Sequence, residues 1–157
     1  MIRARSSFAS LQTHQVAKTA AWIAALPFFS GYGLKPADLQ KLLEAACANP
    51  RHQLLALLQD DTVVGLAWLV RRGAFDRSAY LRLLAVASDQ QGKGLGRALM
   101  ERAEAEHLKP EGLALLVTAD NRPAREFYER LGYRHCGAIA DYVRQGRREC
   151  MYFKPGR

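Results

Sequence analysis

The stretch from Leu84 to Leu99 limits the possible fold more than any other part of the chain. Three apolar residues, Leu84-Ala85-Val86, run into Gln91-Gly92-Lys93-Gly94-Leu95-Gly96-Arg97, where glycines alternate, and a helical pattern from Gly94 to Leu108 follows. Glycine adopts backbone angles closed to other residues and lets a ligand come close to the main chain. The first amides of a helix have no internal acceptor and point outward, which makes a helix start a natural phosphate site. A strand, a glycine loop and a helix start in succession therefore predict an anion cradle, although a plain connection rich in glycine would look the same. Two phosphate motifs are excluded. A Walker loop needs G-x-x-x-x-G-K followed by Ser or Thr, which is absent. The dinucleotide fingerprint G-x-G-x-x-G spaces its last glycine differently and belongs to an opening βαβ unit, whereas this loop lies in mid-chain.

The elements around the loop follow from periodicity. Ile2 to Arg5 reads as a short opening strand. Leu11, Val16, Ala20, Ile23 and Leu26 recur at helical spacing, and Pro27 with Ser30-Gly31-Tyr32-Gly33 ends that helix. A second helix begins near Pro36, carries Leu39, Leu42 and Leu43 on one side, and stops around Asn49-Pro50. Leu54 to Leu58 and Val63 to Val70 are strand-like and joined by Asp60-Asp61, Gly73 breaks the second run, and Tyr80 to Val86 makes a third. This predicts an antiparallel meander. After the loop and its helix come a strand at Leu113 to Thr118, a helix from Pro123 to Leu131, and two closing strands, Arg134 to Ala140 and Arg148 to Phe153. The expected fold is a mixed α/β (α+β) sandwich built on one sheet.

Size and composition set the frame. With 157 residues, 49% hydrophobic and 24% charged, the chain reads as one globular domain spanning 1–157. No apolar run approaches the roughly 18 residues of a membrane span; Ala20 to Phe29 is short and contains Pro27. Arg3 and Arg5 precede it, but no small-x-small cleavage site follows, so the expected location is the cytoplasm, with no membrane partner. Cys47, Cys136 and Cys150 form no C-x-x-C pair, and the four histidines are scattered, so no metal is expected. The net charge of +8 favours anions in general. Acidic residues are interleaved throughout, and neither a basic arm nor an aromatic-basic stripe points to nucleic acid.

Gln91-Gly92-Lys93-Gly94-Leu95-Gly96 resembles the Q/R-x-x-G-x-G/A signature of the GNAT N-acetyltransferase family. Asn121-Arg122-Pro123-Ala124-Arg125-Glu126-Phe127-Tyr128-Glu129-Arg130-Leu131-Gly132-Tyr133 resembles that family's N-x-x-A-x-x-F-Y-x-x-x-G-F/Y segment. The likeness covers roughly Leu54 to Phe153 and is sharpest from Leu84 to Tyr133. It implies a mixed, mostly antiparallel sheet of six to seven strands with about four helices, and acetyl-CoA as acyl donor to a primary amine in a ternary complex. The implied cofactor-binding residues are Leu84, Ala85, Val86, Gln91, Gly92, Lys93, Gly94, Leu95, Gly96, Arg97 and Asn121. The loop amides would hold pyrophosphate, and Leu84 and Val86 would pair with the pantetheine arm like an added strand. An amide near Val86 would polarise the thioester carbonyl. Lys93 and Arg97 either add charge or are ordinary surface residues, and Asn121 has the place of an N-cap. The resemblance makes Tyr128 the acid that protonates the departing thiolate; without it, Phe127-Tyr128 would read as an aromatic core pair. Relatives are often dimers, which makes a homodimer an expectation.

One part of the pattern is missing. An amine acceptor must lose a proton before it attacks, and many relatives supply a glutamate on the strand before the loop. Here that strand, Ser78 to Leu84, has no carboxylate. Asp76, Tyr80, Asp141, Tyr142, Glu149 or a water chain are the alternatives. The gap also motivates a second reading, a non-catalytic acyl-CoA-binding or regulatory module on the same fold.

Overall fold

The structure is a computed structural model that describes residues 5–156. In chain order it contains β1 (Ser6–Ser10), α1 (Thr13–Ala25), α2 (Pro27–Gly31), α3 (Pro36–Cys47), β2 (His52–Gln59), β3 (Thr62–Ala74) and β4 (Ser78–Val86). A 3-10 turn at Ser88–Gln90 leads to α4 (Leu95–His107), β5 (Leu113–Thr118), α5 (Arg122–Arg130), β6 (Arg134–Ala140) and β7 (Arg148–Lys154). The strands form one seven-stranded sheet in the order β1-β2-β3-β4-β5-β7-β6. This is the mixed, mostly antiparallel sheet expected, with five α-helices where about four were expected. Among the described residues, no helix is long and apolar enough to cross a membrane.

Contacts divide the chain into two units, Met1–Leu69 with Leu83–Ala103, and Val70–Arg82 with Glu104–Arg157. In the first, β1 pairs antiparallel with β2, from Ser6 opposite Gln59 to Ser10 opposite Leu55. Helix α1 buries Val16, Ala20, Ile23 and Ala24 and packs on α3, which buries Leu39, Leu43 and Ala46. Pro36 starts α3 as its first residue, where the missing N–H costs nothing. Pro27 does the same for α2, which corrects the expectation that Pro27 merely ends α1. The strand expected at Ile2 to Arg5 falls on residues outside the described range apart from Arg5; the described strand begins at Ser6. In β3, Gly65 has no side chain because α4 lies close upon it. A Cβ there would stand 2.8 Å from Leu99 Cδ1 and 3.4 Å from Leu57 Cβ.

In the second unit β4 and β5 run parallel over three pairs only, Ala79 to Leu81 with Leu113 to Leu115. β7 pairs antiparallel with β5 on one side, from Leu113 opposite Lys154 to Thr118 opposite Glu149, and with β6 on the other. Gly73 does not break β3 as expected; the strand continues to Ala74. A Cβ at Gly73 would come within 2.8 Å of Val70 Cβ and 2.9 Å of Tyr80 Cβ, so the residue marks a crowded bend. Helix α5 is fixed by side chains at both ends. Arg125 Nε donates to the Tyr152 hydroxyl at 2.9 Å, which donates to Glu129 Oε1 at 2.8 Å. Lys154 Nζ donates to the Leu131 carbonyl at 2.7 Å and to Glu104 Oε2 at 2.8 Å, satisfying a carbonyl at the helix end.

Candidate active site

In the first unit the glycine loop is a built structure. The Ala87 amide donates to the Val64 carbonyl at 2.9 Å, which fixes the exit of β4 against β3. Gln91 Nε2 donates to the Val86 carbonyl at 2.9 Å, so one side chain closes the loop at its base. Lys93 Nζ donates to Gln90 Oε1 at 3.2 Å. Gly92 and Gly94 have φ of +75° and +80°, in the left-handed region that an L side chain enters only with strain. At both positions the space a Cβ would occupy is open, with no atom within 4 Å. The first backbone bond of α4 runs from the Ala98 amide to the Gly94 carbonyl at 3.1 Å, leaving the amides of Leu95, Gly96 and Arg97 ahead of the helical ladder.

This is an exposed nest of amides at the positive end of a thirteen-residue helix, the geometry that receives a phosphate group. Leu84 and Val86 are half-buried on one face of β4 and Ala85 is buried on the other. Arg97 sits 3.9 Å from Glu101, a loose surface pair that leaves its charge largely available. All the residues expected to hold the donor from Leu84 to Arg97 thus lie along one strand end, loop and helix start.

The remaining expected residues lie in the second unit. Asn121 is the N-cap of α5, its Oδ1 accepting from the Ala124 amide at 3.3 Å. The Tyr128 ring is 8% exposed and packs edge-on against Phe127 and Tyr133, with ring centres 5.1 and 5.8 Å away. Its hydroxyl donates to no group among the described residues. Among these residues the enclosed side-chain polar atom that lacks a partner is Trp22 Nε1, so the Tyr128 oxygen keeps an opening to solvent. Burial, with Tyr80 beside it, pushes the Tyr128 phenol well above the usual tyrosine range. It therefore carries its proton at neutral pH.

Tyr80 is half-buried, and its phenol is also raised, by burial first and then by Tyr142 and Glu149, with Arg82 opposing. Register explains the grouping. Directly paired residues share a face of the sheet and alternate residues along a strand return to it. Tyr80 pairs with Ala114, and Thr118 with Glu149, so Tyr80, Leu116, Thr118, Glu149 and Met151 occupy one face. Glu149 is 4% exposed, and the Thr118 hydroxyl lies 3.4 and 3.3 Å from its two carboxylate oxygens.

The other acidic alternatives sit elsewhere. Asp76 is in the exposed β3–β4 turn with Arg72 at 3.5 Å. Asp141 accepts from the Gly146 amide at 2.6 Å inside the β6–β7 turn, and Tyr142 is 66% exposed. Thr118, which sequence reading did not single out, lies beside Glu149 as the last residue of an apolar strand. No group of three metal-binding side chains comes together among the described residues.

Comparison with known proteins gives the family of the chain. Residues 18–133 match the family model described as "Acetyltransferase (GNAT) family". The mycothiol acetyltransferase of Kocuria rhizophila is 42% identical over 104 residues, covering 61% of this chain and 34% of that protein. The chain thus spans about a third of the length of the curated relatives it matches. The crystal structure of the ribosomal-protein-S18-alanine N-acetyltransferase from Escherichia coli superposes with a TM-score of 0.73 at 25% identity, covering 96% of this chain and 94% of that one. An acetyltransferase from Thermus thermophilus gives a TM-score of 0.77 at 23% identity, covering 96% of each chain.

Proposed function

Because the chain belongs to the GNAT acetyltransferase family, we propose that it transfers an acetyl group from acetyl-CoA to a primary amine, directly and within a ternary complex. The observation that carries this reading is the loop at Gly92 and Gly94, where positive φ and open space combine with the unladdered amides at the start of α4. In it the amides from Gly92 to Arg97 hold the pyrophosphate, with Lys93 and Arg97 adding charge. The half-buried face of β4 at Leu84 and Val86 accompanies the pantetheine arm, and the Val86 region polarises the carbonyl. Asn121 caps α5 and so orients Tyr128. Tyr128 is the acid, since its burial keeps the proton in place until a thiolate needs it. The whole chain acts as one catalytic domain.

Among the relatives, one name carries mycothiol and another the alanine of ribosomal protein S18. Small primary amines and an alanine-terminated peptide therefore head the acceptor panel. Saturating acetyl-CoA, at about a hundred times its Kd, should stabilise the fold by about 2.7 kcal/mol. At about 2–4 °C per kcal/mol for a chain of this size, the melting temperature rises roughly 5–10 °C. Absence of any shift removes the donor assignment. Release of free thiol on adding an amine from the panel tests the transfer itself.

A further inference from the structure

We infer that Glu149 is the base that accepts the proton of the incoming amine, and that the acceptor is accordingly a cationic primary amine whose ammonium group is drawn to a buried carboxylate. The inference rests on the acetyl-transfer reading above. β4 has no carboxylate to offer, yet the face that carries Tyr80 has one, contributed by β7, the last strand in chain order. Glu149 is 4% exposed, so its charge acts at short range through little water. Thr118, opposite it on β5, fixes the orientation of the carboxylate through contacts at 3.3 and 3.4 Å.

Thr118 from β5 and Ile139 from β6 pair with Glu149 in register. The charged and titratable groups that act on Tyr80, on the same face as Thr118 and Glu149, are Glu149 itself, Arg82 from β4 and Tyr142 from the β6–β7 connection. Tyr128 adjoins the same Tyr80 from α5. Tyr80 thus has both a carboxylate and a protonated phenol as neighbours, the base and the acid that the reaction requires.

The proton balance is as follows. Glu149 takes one proton from the ammonium group, freeing the nitrogen lone pair. That pair forms the C–N bond to the thioester carbonyl carbon, and the C–S pair leaves with sulfur. Tyr128 gives its proton to sulfur. The nitrogen loses its second proton as the amide forms, Tyr128 regains one, and Glu149 releases its own to solvent. One proton in total leaves for each amine acetylated.

The test compares wild type with Glu149→Gln, which keeps the side chain's size and its contact with Thr118. Thiol release from acetyl-CoA is followed from pH 6 to 10 with a panel of primary alkylamines and an alanine-terminated peptide, alongside melting curves with and without acetyl-CoA. Glu149→Gln should bind acetyl-CoA with an unchanged thermal shift and lose about 10²-fold in kcat near pH 7. The deficit should shrink about tenfold per pH unit as the ammonium group loses its proton to solvent unaided. A deficit equal at every pH, or none, overturns the assignment. Thr118→Val, which removes the hydroxyl that contacts the carboxylate, should lower kcat about tenfold and leave acetyl-CoA stabilisation intact; unchanged kcat overturns it equally. The two readings fail differently. If acetyl-CoA stabilises wild type but no amine yields thiol, acetyl transfer itself falls, and this inference with it. If wild type turns over and Glu149→Gln matches it at all pH values, only Glu149 falls.

Discussion

Replacing Gly94 with alanine separates what the loop does for the fold from what it does for the donor. Gly94 has a φ of +80° and no atom within 4 Å of where a Cβ would stand, so the methyl group meets nothing. The folding cost is then backbone strain alone, about 1–2 kcal/mol for an L residue in this region, reduced by the lower entropy of the unfolded chain by roughly 0.4–1 kcal/mol. The net loss is about 1 kcal/mol, or about 2–4 °C in melting temperature. Binding suffers far more, because the same methyl group enters the space where the phosphate would lie. Losing one hydrogen bond to a charged group costs about 1.5–3 kcal/mol, which is roughly 10- to 100-fold in Kd. Gly146→Ala is the matched control. Its φ is +79°, it too has no atom within 4 Å of a Cβ, and it lies in the β6–β7 connection. Calorimetric titration with CoA at fixed salt, beside melting curves, reads both terms. Equal melting losses with a loss of affinity at Gly94 alone support the cradle. Wild-type affinity in Gly94→Ala, or the same loss of affinity in both variants, refutes it.

Tyr128→Phe should lower kcat about 10²-fold or more with acetyl-CoA affinity unchanged, as measured by single-turnover assay and titration; unchanged kcat returns the residue to core packing. Gly112→Ala should destabilise by about 2–5 kcal/mol in chemical denaturation, combining left-handed strain with a clash. Its φ is +77°, and a Cβ would lie 2.5 Å from Phe153 Cζ and 2.6 Å from the Lys154 carbonyl. A pH effect should come from His107, whose imidazole is held below its ordinary value of 6.5 by burial first and by Arg71 and Lys109 next, against Glu106. The unfolded chain then binds the proton first, so stability falls as pH drops through about 6.5 and is regained above it. Melting curves from pH 7.5 to 5 should show this fall in wild type and a smaller one in His107→Gln; equal falls rule out His107 as its source.

The site was legible in the sequence where local chemistry decides and obscure where register decides. The glycines at 92 and 94 could be read because positive φ leaves few other residues eligible, and the Asn121-Arg122-Pro123 run because caps and first-turn prolines act within three residues. Pro36 marked the start of α3 for the same reason. Pro27 was ambiguous by nature, since one ring both stops the helix behind it and opens the one ahead. Gly73 looked like a breaker because the crowding that requires it comes from Tyr80 across the strand pair, which sequence spacing does not reveal. Glu149 was one of several candidate bases. What distinguishes it is burial opposite Thr118, thirty-one residues away, and only the pairing of β7 with β5 creates that.

That pairing also governs how the protein is made. β7 enters the sheet between β5 and β6, so during synthesis β5 has an open edge and β6 has no neighbour until Arg148–Lys154 has left the ribosome. A chain interrupted before Arg148 carries the complete glycine loop and Tyr128, yet it has neither a closed sheet nor Glu149. Its exposed edge is the strand Leu113–Thr118, apolar along almost its whole length, which is a ready template for another chain's strand. Incomplete copies thus carry an unpaired apolar strand edge that the full-length chain covers with Arg148–Lys154.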